Sequence, residues 1–294
     1  MVPQSYVIVT AARNEGARIE ATIRSVVGQT VRPQKWVIVS DGSTDDTDAI
    51  VERHAQQHGF IELMRARPDV GRSFGSKAKA VNAGYASIGC AHDAVAVLDA
   101  DVFFDATYFE NVLKRLGEDE RLGLTGGVVW EPCDGGYVPQ TTSVEWSVAG
   151  GSQIFRRESW LSIGGYLPVR GGVDAVAEVM VRMKGWSVRA FPDLRVYHLR
   201  KTSSEKHGAL GTPWHRGMED YGLGYHPLFF VARCLRRVTD RPWLLASVLM
   251  FGGYAWAWVR RPQRVVPAEF VRYLRQEQWG RLRMPFARKC KRPA

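Results

Sequence analysis

Ala94-Val95-Ala96-Val97-Leu98-Asp99-Ala100-Asp101-Val102-Phe103-Phe104 is an apolar run of strand length that ends in two carboxylates one residue apart. On an extended chain, side chains i and i+2 point the same way. Asp99 and Asp101 are therefore expected to project together from the end of a buried strand. In open α/β sheets that carboxyl end is where ligands bind. Two carboxylates so close repel one another unless a cation or donors stand between them. A divalent ion with oxygen ligands, shared with substrate phosphates, meets that need. The bland alternative is a solvated loop that carries two acids, and the flanking sequence decides between them.

Upstream, short apolar strands alternate with helical stretches. Tyr6–Val9 leads through Ala12-Arg13-Asn14-Glu15 into a helix over Ile19–Val27. Trp36–Val39 ends at Ser40-Asp41-Gly42 before a helix through Ile50 and Val51. Ile61–Arg65 is followed by a turn from Gly71 to Lys79 that opens a helix through Ala83. Strand–helix alternation of this kind implies a mostly parallel sheet covered by helices on both faces, an α/β fold. The order of strands within the sheet is not readable from the pattern. Downstream, a helix from about Ala175 to Lys184 stops at Gly185, a glycine C-cap. Ser187–Phe191 and Arg195–His198 read as two further strands.

The chain has 294 residues, 45% of them apolar and 24% charged, which suits a folded globular protein with a sizeable core. Its net charge of +10 is unevenly spread. Residues 1–199 hold 21 Lys/Arg against 24 Asp/Glu, a balance of −3; residues 200–294 hold 19 against 6, a balance of +13. A basic third implies an acidic surface or ligand. The four cysteines have no Cys-x-x-Cys spacing, so neither a zinc site nor a disulfide framework is expected. The start of the chain lacks the features of a signal peptide, and a cytoplasmic location is the expectation.

Four strand ends now converge: Asn14-Glu15, Asp41, the Lys77/Lys79 turn, and Asp99/Asp101. The arrangement resembles the inverting glycosyltransferases of family 2, with the GT-A nucleotide-sugar-binding fold. The resemblance rests on Ala12-Arg13-Asn14-Glu15, on Ser25-Val26-Val27-Gly28-Gln29-Thr30, and on Asp41-Gly42-Ser43-Thr44-Asp45-Asp46-Thr47. It rests also on the loop with Lys77, Lys79, Asn82 and Ala83, and on the Asp99/Asp101 pair. It covers roughly residues 5–200, and a domain over 1–205 is expected, followed by a basic helical region over 206–294. It implies that Ala12, Asn14, Glu15, Asp41, Lys79, Asn82 and Asp99 contact the donor. It implies too that Asp101 and His198 hold a divalent cation, Mn²⁺ or Mg²⁺. The bland reading of Asp41 and Asp45 is that they cap helix N-termini. For His198 it is a structural imidazole.

An inverting displacement needs a base near the acceptor hydroxyl. The family's acidic doublet ahead of an arginine is replaced here by Gly171-Gly172-Val173-Asp174-Ala175-Val176-Ala177-Glu178, followed by Arg182. Asp174, beside flexible glycines at a helix start, is the first candidate for the base, and Glu178 the second. A plain N-cap is the alternative for Asp174. Trp146, Gly150-Gly151 and Trp160 lie where an acceptor site would form, with core packing as the competing role.

The last third differs in kind. Trp243–Val259 is a mostly apolar run of 17 residues, and arginines interleave with apolar residues from Ala268 to Arg283. A spanning helix needs about 20 apolar residues, so this run could span, dip into or lie on a membrane, while the following stretch reads as an interfacial helix. The implied function is transfer of one sugar from a nucleotide-diphosphate donor to a saccharide or polyprenyl-diphosphate-linked acceptor at the inner membrane face, in surface or exported polysaccharide assembly. An anionic membrane surface is an expected partner and nucleic acid is not. The alternative is a non-catalytic protein on a degenerate GT-A fold that binds a nucleotide sugar or an anionic surface.

Overall fold

Residues 7–9, 37–39 and 94–98 have no exposed surface at all, the signature of strands covered on both faces. The computed structural model describes residues 3–66, 74–140, 145–169, 171–201, 208–236 and 243–283. Contact clustering divides the chain into two units, one of residues 1–168 with 173–201, the other of 169–172 with 202–294.

In the first unit, β1 (Tyr6–Ala12), β2 (Lys35–Asp41), β3 (Ile61–Ala66) and β4 (Ala94–Leu98) are joined by helices α1 (Ile19–Val27), α2 (Thr47–Gln57) and α3 (Phe74–Ala86). After β4 come β5 (Val102–Phe103), α4 (Tyr108–Glu118), β6 (Leu122–Cys133) and β7 (Gly136–Pro139). The unit closes with β8 (Ser152–Arg156), α5 (Arg157–Ile163), α6 (Val173–Met183) and β9 (Ser187–His198). The sheet order is β3-β2-β1-β4-β8-β6-β9-β5, with β7 on β6. Pairing is parallel from β3 through β4 and between β6 and β9, and antiparallel around β8 and β5.

Ser187–His198 forms one strand where the sequence pattern suggests two. Its pairing with β6 slips between Gly127 and Val128, opposite Phe191 and Arg195. Pro192 has no N–H to donate and sits inside that slip. Gly185 takes a left-handed φ of +86° after α6, as the glycine-cap pattern predicts. The Gly71 end of the predicted lysine turn lies outside the described residues.

The second unit holds α7 (Gly208–Gly222), α8 (Pro227–Arg236), α9 (Trp243–Arg260) and α10 (Ala268–Arg283). Tyr221, Phe230, Cys234, Met250, Tyr254 and Ala257 form its core. Helices α7 and α9 cross closely, because a Cβ at Gly253 would strike the Trp214 carbonyl and one at Gly217 the Met250 carbonyl. The half-buried Arg233 donates to both oxygens of the buried Asp220, at 2.9 and 2.8 Å. Among the described residues no helix is long and apolar enough to cross a membrane. The 243–259 run, which lies in α9, is among the helices that fall short of that length and apolarity.

Candidate active site

The turn that follows β4 is fastened at three successive residues. Asp99 N–H donates to the Gly151 carbonyl at 3.1 Å, the Thr22 hydroxyl donates to the Ala100 carbonyl at 2.9 Å, and Leu199 N–H donates to the Asp101 carbonyl at 2.9 Å. Because β5 runs antiparallel to β9, Val102 pairs with His198. That pairing, between segments about a hundred residues apart, carries the imidazole to the two carboxylates. His198 Nε2 lies 3.6 Å from Asp101 Oδ1 and 4.0 Å from Asp99 Oδ2. One ligating atom from each of Asp99, Asp101 and His198 falls within 4.8 Å of the others.

These residues fit a divalent cation. Two carboxylate oxygens and an imidazole nitrogen suit Mn²⁺, and oxygen donors suit Mg²⁺. His198 Nδ1 is buried without a hydrogen bond, the condition of a polar cluster built to hold something more, while the buried Asp101 Oδ2 has the Arg200 guanidinium beside it.

The electrostatics separate the two acids. Burial works to raise the Asp99 carboxyl, but the Lys77 ammonium and the adjacent His198 outweigh it and hold Asp99 well below the usual range. For Asp101, burial and then the Asp99 charge prevail over His198 and Arg200, and its pKa goes up. Burial pushes the His198 imidazole down, and the two carboxylates more than reverse this. Lys77, on the first turns of α3, donates to Asp99 Oδ1 and stays charged because its acidic neighbours overcome its burial.

Asp174 belongs to the same neighbourhood. A Cβ at Gly150 would lie 2.7 Å from Asp174 Oδ2, and one at Gly151 would lie 3.8 Å from Asp99 Oδ2. The glycine pair thus runs between the two acids, and a larger residue at Gly150 would crowd Asp174. Asp174 is half-buried on the first turn of α6. Glu178, one turn on, is directed inward and is 5% exposed. Its Oε1 accepts from Val148 N–H at 2.7 Å and from the Ser147 hydroxyl at 3.0 Å, and Arg182 stands 3.5 Å from Oε2. Glu178 therefore holds the segment that leads into Gly150 and is not brought to the open end of the sheet.

The remaining expected donor residues divide in the same way. Glu15 reaches the cluster: Arg200 donates to its Oε1 at 2.8 Å while Arg200 Nε lies 2.6 Å from Asp101 Oδ2. Asp41 ends β2, half-buried, with Arg13 at 3.8 Å. Ala12 ends β1, buried, in register with Ser40. Asn14 has a left-handed φ of +55°, which Asn tolerates. Its Oδ1 accepts from Thr44 N–H at 2.8 Å, so it shapes the Asp41–Thr47 loop. Asp45 accepts from Gly16 N–H and from Thr47 N–H at the start of α2, close to its bland reading as a cap although Asp46 holds the N-cap position, while Asp41 forms no such contact among those described.

Asn82 is committed elsewhere. Its amide donates to the Tyr166 carbonyl and accepts from Tyr166 N–H, clasping α3 to the turn after α5. Of the two lysines, Lys77 meets Asp99 and Lys79 is exposed. Positions i and i+2 on a helix lie on nearly opposite sides, so the two cannot serve one point. Trp160 is buried against Phe155 and Tyr166, whereas Trp146 is 37% exposed. Arg200 is the member of the cluster that the sequence reading did not single out. Its position two residues past His198 was a usable signal, masked by its lying at the edge of the basic third.

Comparison with known proteins bears on the family and the fold. The family model described as "Glycosyl transferase family 2" matches residues 7–173. A relative from Bacillus subtilis, "Probable glycosyltransferase YdaM", is 21% identical over 83% of this chain and 62% of its own length. The poly-beta-1,6-N-acetyl-D-glucosamine synthase of Staphylococcus aureus is 28% identical over 40% of this chain and 26% of its own length. The chain thus spans less than two thirds of either relative. Among solved structures, the mannosyltransferase PcManGT from Pyrobaculum calidifontis, in complex with GDP-Man and Mn²⁺, aligns with a TM-score of 0.58. It is 18% identical, covering 88% of this chain and 75% of its own. The shared architecture is the GT-A fold.

Proposed function

The chain belongs to glycosyl transferase family 2, and on that premise we propose that it transfers a single sugar, with inversion, from a nucleoside-diphosphate sugar to a saccharide acceptor. The observation that carries this reading is the Asp99–Asp101–His198 cluster at the carboxyl end of β4, with ligating atoms within 4.8 Å of one another. Held there, a divalent ion supplies Lewis-acid neutralisation of the diphosphate leaving group. The complex of PcManGT with GDP-Man and Mn²⁺ supports this class of donor and ion.

The chain's own residues take the remaining roles. Lys77, charged and next to Asp99, orients that carboxylate and adds positive charge near the leaving group. Glu15 and Asp41 accept hydrogen bonds from the donor's base or ribose, and Asn14 holds the loop between them. Asp174 takes the proton of the acceptor hydroxyl as that oxygen attacks the anomeric carbon and the bond to the diphosphate breaks. The bare Gly150-Gly151 backbone leaves room for the acceptor beside Asp174. Glu178 positions that backbone from within.

The acceptor is membrane-borne in this reading. Of the large apolar side chains that stand exposed among the described residues, only Val138, Trp146 and Leu161 belong to the first unit. On α9, Leu244, Val248, Phe251, Trp258 and Val259 repeat along one exposed face, and Val259 is 78% exposed. Exposed apolar residues on a strongly basic segment suit an anionic membrane surface with the helix lying in its plane. A polyprenyl-diphosphate-linked saccharide would be presented at that surface, on the cytoplasmic side where nucleotide sugars are used. The relationship to a polysaccharide synthase supports a place in surface polysaccharide assembly.

Thermal unfolding with UDP, GDP, dTDP and CMP, each with and without Mn²⁺, tests the donor reading. A ligand at about 100 times its Kd adds about 2.7 kcal/mol to the native state. A shift that needs both Mn²⁺ and one nucleoside diphosphate is expected. The absence of any shift would favour a degenerate fold that binds no donor.

A further inference from the structure

Arg200, near the end of the first unit's sequence, spans two carboxylates, one from its start and one from its middle. Its Nε lies 2.6 Å from Asp101 Oδ2, and its Nη2 donates to Glu15 Oε1 at 2.8 Å. Lys77 pairs with Asp99 in the same manner. Each of the two acids that would grip a divalent ion is thus matched by a resident cation, and Arg200 is shared with a third carboxylate, Glu15.

This guanidinium is not needed to hold the backbone. Leu199 N–H already donates to the Asp101 carbonyl, and β5 pairs with β9 on the other side of the turn. The exposures of the two partners also differ. The Asp101 side chain is 2% exposed and fixed, whereas that of Arg200 is 33% exposed and can swing outward. A divalent ion entering alone would have to displace Arg200 and would leave surplus positive charge in a pocket of low effective dielectric. A diphosphate entering with the ion cancels that surplus. It also offers the displaced guanidinium a bidentate anionic partner.

We propose that Arg200 is a counter-cation of the Asp99/Asp101 pair, which releases Asp101 to a divalent ion when a nucleoside diphosphate enters with it and so makes the two ligands bind interdependently. The inference rests on the proposed metal and nucleotide reading of this site. Its consequence is reciprocal, because a ligand that strengthens metal binding is itself bound more strongly by the metal-loaded protein.

Mn²⁺ binding to the full chain, measured by electron paramagnetic resonance with and without UDP or GDP, tests it. Wild-type protein is expected to bind Mn²⁺ weakly alone and about tenfold or more tightly with the accepted nucleotide, within the usual range of coupling. Arg200→Gln is expected to bind Mn²⁺ alone about tenfold more tightly than wild type and to show a correspondingly smaller gain from the nucleotide, the direct attraction of ion and diphosphate remaining. Arg200→Lys, which keeps the charge, should behave more like wild type. Equal Mn²⁺ affinity in wild type and Arg200→Gln would overturn the role of Arg200 while leaving the metal site standing. If Arg200→Gln does not fold, wild-type Mn²⁺ affinity that ignores the nucleotide overturns the proposal on its own. No Mn²⁺ binding by wild type under any condition would instead remove the reading on which it rests.

Discussion

The Glu178 carboxylate accepts a 2.7 Å hydrogen bond from the Val148 N–H, joining α6 to the segment that runs into Gly150 and Gly151. Burial raises the Glu178 pKa from 4.5 to about 7, and the Asp174 charge adds to that, against the smaller opposing effects of Arg182, Val148 and Ser147. The native state therefore holds this proton more tightly than the unfolded chain does. The associated stability is fully present below pH 4.5 and is lost as pH rises through about 7. Denaturant midpoints are expected to fall across that interval, and Glu178→Gln should flatten the fall by at most about 3 kcal/mol. An unchanged slope in the variant would assign the titration to another group.

Asp101→Asn should keep the fold and lose the Mn²⁺-dependent part of nucleotide stabilisation. The amide retains the shape of the side chain but offers one neutral oxygen where the carboxylate offers charge. Circular dichroism checks the fold, and paired melts with and without Mn²⁺ check the binding. A metal-dependent shift as large as that of wild type would remove Asp101 from the ligand set.

Asp174→Asn separates the two candidate bases. Loss of a general base costs about 10²–10⁴ in rate, so kcat should fall by that factor while the KM for the donor changes little. Glu178→Gln keeps an oxygen for Val148 and Ser147 and should cost far less. The reverse order of effects would hand the proton transfer to Glu178.

Val248→Asp with Phe251→Asp places two charges on the exposed face of α9. Burial of an apolar side chain is worth about 1.5–3 kcal/mol, so the pair should weaken co-sedimentation with anionic vesicles by more than tenfold. The core residues Met250 and Tyr254 are themselves left unchanged. Wild-type sedimentation by the double variant would show that this face does not meet lipid.

The sequence by itself determined the local elements. Val7–Val9, Val37–Val39 and Ala94–Leu98 read as doubly covered strands because their apolar runs are unbroken, and a parallel sheet follows from the helices between them. It also marked Asp99 and Asp101, since i and i+2 alternation is a local property of an extended chain. What it could not decide was which side chains meet across long separations. The pairing of β5 with β9 carries His198 and Arg200 to Asp101, and strand order depends on packing of whole elements, which no local pattern encodes. Likewise Lys77, Lys79, Asn82, Asp174 and Glu178 all read as plausible site residues from type and position. Only the tertiary structure sorted them, by directing Lys77 and Asp174 toward Asp99 and committing Asn82 and Glu178 to backbone partners. A polar side chain takes whichever role its surroundings leave unsatisfied, and those surroundings exist only once the chain has folded.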